Sequence, residues 1–248
     1  MDDHTVTGRV AAILDAVAAG LGPATLARLA GDTGIPKPTV RRIANQLVEW
    51  RILAKNPDGY RLGLRLIELG RTAVAQLGVS ELVAPFVHQL HQQTGQIAWA
   101  CAVSEDSLIF LDTAFGREHA SDMAGWPWRI PLATIATTAA GQLMLAAQPE
   151  RVEQLLRAGG PTRLTPYTVT SPRLVLGRVQ RAADTHTAHE WEESRLGWWC
   201  CSTLVSAPSA DYIVGLTAQT SRSQLRPATT QLRRVAEDFE RQVTLAAG

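Results

Sequence analysis

Between Thr25 and Val48 stand two apolar stripes at helical spacing, separated by a glycine- and proline-bearing connection too short to be anything but a turn. Leu26, Leu29 and Ala30 form the first stripe; Val40, Ile43, Ala44, Leu47 and Val48 form the second. Residues at these offsets share one face of a helix. Gly31 or Gly34 ends the first helix, and Ile35-Pro36-Lys37-Pro38 makes a tight link in which Pro38 suits the first turn of the next helix. Upstream, Val6, Val10, Ile13, Leu14 and Val17 predict another amphipathic helix over about residues 6–19, stopped by Gly20, Gly22 and Pro23. Downstream, Ile52-Leu53-Ala54 and Tyr60-Arg61-Leu62-Gly63 flank the turn Asn56-Pro57-Asp58-Gly59, which predicts a β-hairpin. Three helices followed by a hairpin make an all-α helix-turn-helix with a wing.

The polar side of that unit is basic. Residues 36–65 carry Lys37, Arg41, Arg42, Arg51, Lys55, Arg61 and Arg65 against Glu49 and Asp58, a net of +5 in a chain whose total is +1. A near-neutral whole therefore hides a cationic patch of the kind that meets phosphate. The exposed side of the third helix displays Lys37, Pro38, Thr39, Arg41, Arg42, Asn45 and Gln46. Its N-terminal amides and Thr39 can meet phosphate, and Arg41 or Arg42 can reach guanine edges in the major groove. Lys55 and Arg61 on the hairpin are placed for backbone or minor-groove contact. The alternative for the same elements is a protein-docking module with solvated arginines.

The run Thr33-Gly34-Ile35-Pro36-Lys37-Pro38-Thr39-Val40-Arg41-Arg42-Ile43, the wing Asp58-Gly59-Tyr60-Arg61-Leu62-Gly63 and the helix Leu64 to Leu77 resemble the IclR family of bacterial transcriptional regulators. The resemblance extends over essentially the whole length. It implies a winged helix-turn-helix in residues 1–63, a linker helix in 64–79, and a GAF-like effector-binding and oligomerisation domain in 80–248. It also implies dimers or tetramers on double-stranded operator DNA that control catabolic operons in response to small organic acids.

Residues beyond Gly78 read as α+β with an antiparallel sheet. A helix over Leu82 to Gln93 ends at Gly95, and strands Ile97 to Val103 and Leu108 to Asp112 flank the turn Ser104-Glu105-Asp106-Ser107. Helical segments near Thr138 to Ala147, Pro149 to Ala158 and Pro172 to Asp184 precede strands Trp198 to Val205 and Tyr212 to Thr220, then a last helix from about Pro227 to Ala246. The linker helix bears more apolar surface (Leu64, Ile67, Leu69, Ala73, Val74, Leu77) than one buried stripe needs, as expected of a dimer contact.

Six of the seven tryptophans (Trp99, Trp126, Trp128, Trp191, Trp198, Trp199) fall in this second domain, which suggests a flat-walled pocket for an aromatic ligand. Carboxylate donors for such a ligand would be the amides of Ala139 and Ala140, the hydroxyls of Thr134, Thr137 or Thr138, and Arg129. The resemblance adds an acidic residue about ten positions before a strand cysteine, that cysteine, and two polar residues on the next strand. Counted on this chain, these fall at Trp191 or Glu192, Cys201, and Thr217 with Gln219; Gln142 stands where the family has lysine. A tryptophan at the acidic position, with Trp199 beside the cysteine, favours a benzoate or hydroxybenzoate type of acid.

Other classes are weighed against this reading. Three cysteines, with Cys200 and Cys201 adjacent, give no disulfide framework and no zinc spacing, and no metal or cofactor is expected. His186-Thr187-Ala188-His189-Glu190 reads as a polar surface loop rather than a metal cluster. No G-x-S-x-G elbow surrounds Ser202, Thr203 or Ser206, and His88, His91 and His119 lie in no catalytic motif, so a hydrolase is the minor alternative to a non-enzyme. A redox sensor built on Cys200 and Cys201 and a ligand-independent architectural DNA-binding protein complete the alternatives. No apolar run reaches the roughly 18–20 residues of a membrane span, and the acidic start Met1-Asp2-Asp3-His4 is unlike a signal peptide, so the expectation is cytoplasmic.

Overall fold

The computed structural model describes residues 5–20, 22–76, 80–104, 107–124, 130, 132–206, 211–219 and 225–246. The chain divides into two units, residues 1–76 and 77–248.

In the first unit, α1 (Val6–Ala18), α2 (Leu26–Thr33) and α3 (Lys37–Glu49) surround a small core of Ile13, Val17, Leu29, Val40, Ile43, Leu53 and Tyr60. The caps explain the boundaries. The Thr5 hydroxyl accepts from the Gly8 amide at 2.9 Å and the Thr25 hydroxyl from the Arg28 amide at 3.2 Å, each satisfying a donor that the first turn leaves free. Gly34, at φ 67°, ends α2 in the left-handed conformation. Strands β1 (Leu53–Asn56) and β2 (Gly59–Leu62) form the hairpin, pairing Asn56 with Gly59 across the tip. Ala24 adds a third, one-residue strand through bonds to both backbone groups of Tyr60, at 2.7 and 2.9 Å. Gly59 is required there: it sits at φ 140°, and a Cβ would lie 2.5 Å from the Ala24 carbonyl oxygen.

Helix α3 ends in a Schellman motif. The Arg51 amide bonds the Val48 carbonyl and the Ile52 amide bonds the Leu47 carbonyl, both at 2.9 Å, with Arg51 itself at φ 59°. This left-handed position is normally glycine, because an L side chain pays roughly 1–2 kcal/mol there. Arg51→Gly is therefore expected to stabilise this unit by about 0.5–1 kcal/mol, net of glycine's greater unfolded-state freedom. Urea unfolding of the two proteins checks it; a lower midpoint for the variant would show that the arginine side chain makes a contact outweighing its backbone cost.

Helix α4 (Arg65–Gln76) follows. Leu64, Ile67 and Leu69 are 76%, 55% and 47% exposed, so these three carry part of the surplus apolar surface expected from the sequence; the Val74 side chain and Leu77 lie outside the described residues.

The second unit opens with α5 (Ser80–Thr94), closed by Gly95 at φ 66°. Strands β3 (Ile97–Val103), β4 (Leu108–Ala114), β5 (Thr187–Trp191), β6 (Trp199–Ser206) and β7 (Asp211–Ala218) form one antiparallel sheet in the order β4-β3-β7-β6-β5. Between β4 and β5 come a 3₁₀ turn at Arg117–His119, α6 (Ala120–Ala124), α7 (Leu132–Ile135), α8 (Ala139–Ala147), α9 (Pro149–Arg157) and α10 (Pro172–Thr185); α11 (Leu225–Ala246) comes last. Helices α5 and α11 cover one face of the sheet with Val87, Leu90, Leu232 and Phe239 against Trp199, Cys201, Tyr212, Val214 and Leu216. The other face packs Trp99, Cys101, Trp198, Cys200 and Ile213 against Leu143, Met144, Leu155, Val175 and Val179 from α8, α9 and α10. Both faces are covered by helices, so successive residues of each strand serve two different cores.

One expectation is corrected here. Residues 186–190 are not a surface loop: His186, at φ 51°, terminates α10, and the chain then enters edge strand β5, which buries Thr187, Ala188 and Glu190. The segment reads as polar because its buried groups are paired within the protein instead of being apolar. Helices α6 and α7, too short to give a periodic pattern, were not expected either.

Candidate functional site

The exposed face of α3 carries Lys37, Pro38, Arg41, Arg42 and Asn45, with Thr39 half-buried in the first turn; Lys55 and Arg61 are exposed on the hairpin. A groove of about 390 Å³ runs between helix and hairpin. Arg41, Asn45 and Lys55 line it together, whereas Lys37, Pro38, Thr39, Arg42 and Arg61 lie outside it. Sequence reasoning passed over Tyr60, which lines the same groove: its hydroxyl donates to Asn45 Oδ1 at 3.2 Å, and the Lys55 ammonium sits 5.5 Å from its ring centroid. The signal was a tyrosine at a buried strand position, whose hydroxyl must find a partner.

The second unit holds a cavity of about 630 Å³ on the α8 side of the sheet, within the range of small-molecule sites. Trp99, Phe110, Ile130, Leu164 and Trp198 supply apolar walls. The Trp99 indole N–H donates to Thr217 Oγ1 at 2.9 Å, and its ring meets Phe110 edge-on with centroids 5.7 Å apart. Trp198 is capped by the Arg195 guanidinium, 4.8 Å from its ring centroid and bonded to Asp122 at 3.1 Å. The polar wall is Thr134, Thr137, Thr138 and the start of α8. Thr138 is the N-cap, accepting from the Gly141 amide at 3.0 Å while donating to the Ile135 carbonyl at 2.9 Å. Thr137 donates to the Thr134 carbonyl at 2.7 Å.

Of the effector residues expected from sequence, Trp99, Thr134, Thr137, Thr138, Ala140 and Thr217 converge on this cavity, and Ala139 is buried beside it at the first position of α8. Trp128 and Arg129, with Trp126, lie outside the described residues. Five others are misplaced. Trp199 and Cys201 pack on the opposite face of the sheet, in the core under α5 and α11. Trp191 shares that side, being the partner of Trp199 in the β5–β6 register. Glu192, at φ 55°, turns away and accepts from the Gly197 amide at 2.7 Å. Gln219 is exposed past the end of β7.

The expected pattern is met one residue earlier, because a slip of one exchanges the two faces of a strand. Cys200, Trp198 and Glu190 line the cavity, and the register sets Glu190 opposite Cys200 and Cys200 opposite Thr217. Thr217 Oγ1 lies 3.4 Å from Cys200 Sγ.

Glu190 is 4% exposed. Its carboxylate accepts from the Ser194 hydroxyl at 2.8 Å and the Glu193 amide at 3.0 Å. Burial, helped by the Glu193 carboxylate, pushes its pKa up to about 7 against those two bonds. Glu193 has its own cation, Arg178, and accepts from the Val169 amide at 3.2 Å. Glu190 also lines an outer cleft of about 390 Å³ with Gln142, Arg178, Arg181 and Trp191. There the Gln142 amide donates to the His189 carbonyl at 3.3 Å, tying α8 to β5. Burial raises the pKa of all three cysteines, that of Cys201 to about 12, so they are neutral thiols and poor nucleophiles. Among the described residues no group of three or more His, Cys, Asp or Glu side chains could hold a metal ion, and no helix is long and apolar enough to cross a membrane.

A basic helix-turn-helix with a wing on one unit, beside a unit built around a cavity, defines a DNA-binding transcriptional regulator. Residues 6–57 match the IclR helix-turn-helix domain and residues 71–243 the bacterial transcriptional regulator IclR C-terminal domain. The chain belongs to the IclR family; these families are regulators, not enzymes. It is 26% identical to the HTH-type transcriptional regulator TtgV of Pseudomonas putida over 220 residues, 88% of this chain and 83% of that one. Identity to XynR of Escherichia coli is 23% over 198 residues, 79% of this chain and 77% of the other. Among solved structures, an IclR homologue from Microbacterium hydrocarbonoxydans complexed with 4-hydroxybenzoate superposes with a TM-score of 0.79 at 21% identity, covering 96% of this chain and 99% of that one. A regulator from Silicibacter sp. TM1040 gives 0.81 at 20% identity, covering 96% of each chain.

Proposed function

We propose that this regulator controls a catabolic operon in response to a small aromatic acid of the benzoate or hydroxybenzoate type. The observation that carries the reading is the cavity itself: two indoles and a phenyl ring form the flat walls, and a threonine-rich helix start faces them. Flat aromatic walls favour a planar ligand, and the first-turn amides at Ala139 and Ala140 suit a carboxylate. The 4-hydroxybenzoate complex of the Microbacterium homologue supports the same ligand class. Trp99, Trp198, Cys200, Thr217 and Glu190 complete the proposed contacts.

On the first unit, Lys37, Pro38, Thr39, Arg41, Arg42 and Asn45 would face the major groove, with Lys55 and Arg61 on adjacent phosphates. The chain would act in the cytoplasm as a homodimer or homotetramer, since two half-sites a turn apart require two recognition helices. A ligand shifts such an assembly only by its differential affinity for the DNA-competent and incompetent arrangements.

The test is a gel-shift titration on the intergenic DNA beside the gene, at physiological salt with competitor DNA, with and without a panel of benzoates. Specific binding altered by one benzoate is the expected outcome. Specific binding that no benzoate changes overturns the ligand class, and sequence-blind, salt-sensitive binding points to an architectural protein.

A further inference from the structure

We propose that Tyr60 is a positioning residue for base reading, holding the Asn45 carboxamide by its oxygen so that Asn45 meets DNA as a hydrogen-bond donor. The phenol is fixed from three sides. Tyr60 is 3% exposed in the core of the first unit, its backbone is bonded twice to Ala24, and its hydroxyl donates to Asn45 Oδ1 at 3.2 Å. Lys55, its partner in the hairpin register, brings its ammonium to the same ring, so the phenol joins the wing to α3. Asn45 is exposed one helical turn beyond Arg41, and both line the groove beside the hairpin.

An unrestrained asparagine reads adenine by two bonds, donating to N7 and accepting from the N6 amino group. With Oδ1 held by Tyr60, the amide N–H groups remain for the DNA. Those suit acceptors: O6 or N7 of guanine, N7 of adenine, or O4 of thymine. Asn45 turned this way gives up the two-bond selectivity for adenine at the base pair it meets, and a residue that never touches DNA sets that preference.

The experiment rests only on α3 entering the major groove and is independent of any effector. The full-length protein selects from a library of random duplexes, and sequencing gives the base preference at each position. Asn45→Ala is expected to flatten preference at one position in each half-site. Tyr60→Phe frees Oδ1 and is expected to move that position toward adenine by roughly tenfold, leaving the other positions unchanged. Asn45→Asp, which presents only acceptors, is expected to favour cytosine there and needs no change at Tyr60. If Tyr60→Phe weakens binding equally on all sequences, the phenol is merely structural and the proposal fails. It fails as well if Tyr60→Phe alters no preference, or if neither Asn45 variant changes the position.

Discussion

Gly141→Ala is expected to lower the thermal midpoint of the second unit by roughly 10 °C, although alanine is the better helix former. Propensity alone favours alanine by about 1 kcal/mol. Sterics oppose it: a Cβ at Gly141 would stand 1.9 Å from the Ile135 carbonyl oxygen and 2.6 Å from its carbon, both backbone atoms. That oxygen cannot withdraw cheaply, because it accepts from the Thr138 amide at 3.1 Å and from the Thr138 hydroxyl at 2.9 Å. Forcing α7 and α8 apart also displaces Ile135, which is 1% exposed. Overpacking of this kind costs about 3 kcal/mol or more, and a unit of this size loses roughly 2–4 °C per kcal/mol. Differential scanning calorimetry decides: a midpoint equal to or above that of the unaltered protein would mean that the contact relaxes freely. Because Thr134, Thr138 and Ala140 form the cavity's polar wall, the same shift should abolish stabilisation by a bound benzoate.

Replacing Glu190 by glutamine should change how stability depends on pH. A carboxyl whose pKa is raised from 4.5 to about 7 in the folded protein keeps its proton over a range where the unfolded chain has released it. The folded state then binds more protons, so this group's contribution to stability falls as pH rises from about 4.5 to 7 and is flat outside that window. Its full size is about 3 kcal/mol, from 1.36 kcal/mol per pKa unit. Glutamine retains an acceptor for Ser194 and for the Glu193 amide but never ionises. Glu190→Gln is therefore expected to match the parent near pH 5 and to exceed it by up to about 3 kcal/mol at pH 8, as measured by urea unfolding across that range. Parallel profiles would show that another cation compensates the carboxylate. Of the described cations near it, Arg178 is engaged with Glu193 and Arg195 with Asp122, which leaves Arg181 in the outer cleft as the one to compensate it.

The first unit was legible because each of its rules is local. Helical stripes, the glycine stop at Gly31 or Gly34 and the Asn56-to-Gly59 tip each depend on a few adjacent residues. The cavity was legible in its materials but not in its frame. Trp198-Trp199-Cys200-Cys201 is apolar at every position because helices cover the sheet on both faces, so hydrophobicity could not tell which tryptophan and which cysteine face the cavity. The cross-strand partners could have: the polar residues Glu190 and Thr217 meet at Cys200, and counting ten back from Cys200, not Cys201, lands on a carboxylate. Strand β5 escaped because it buries a threonine and a glutamate, polar residues that hide a buried strand; Glu190 takes its partners from Glu193 and Ser194 in the turn that follows.

The placement of the tryptophans gives each unit its own optical label. Trp50, the only indole in residues 1–76, is 70% exposed at the C-terminal end of the recognition helix, where water shifts emission to the red. Trp99, Trp198 and Trp199 are 4% exposed or less and emit toward the blue. Among the described indoles, Trp50 is weighted to the red, and Trp99 and Trp198, which line the cavity, to the blue. A compound that enters the cavity is therefore expected to change the blue side of the emission through Trp99 and Trp198 before it changes the red side, where Trp50 emits.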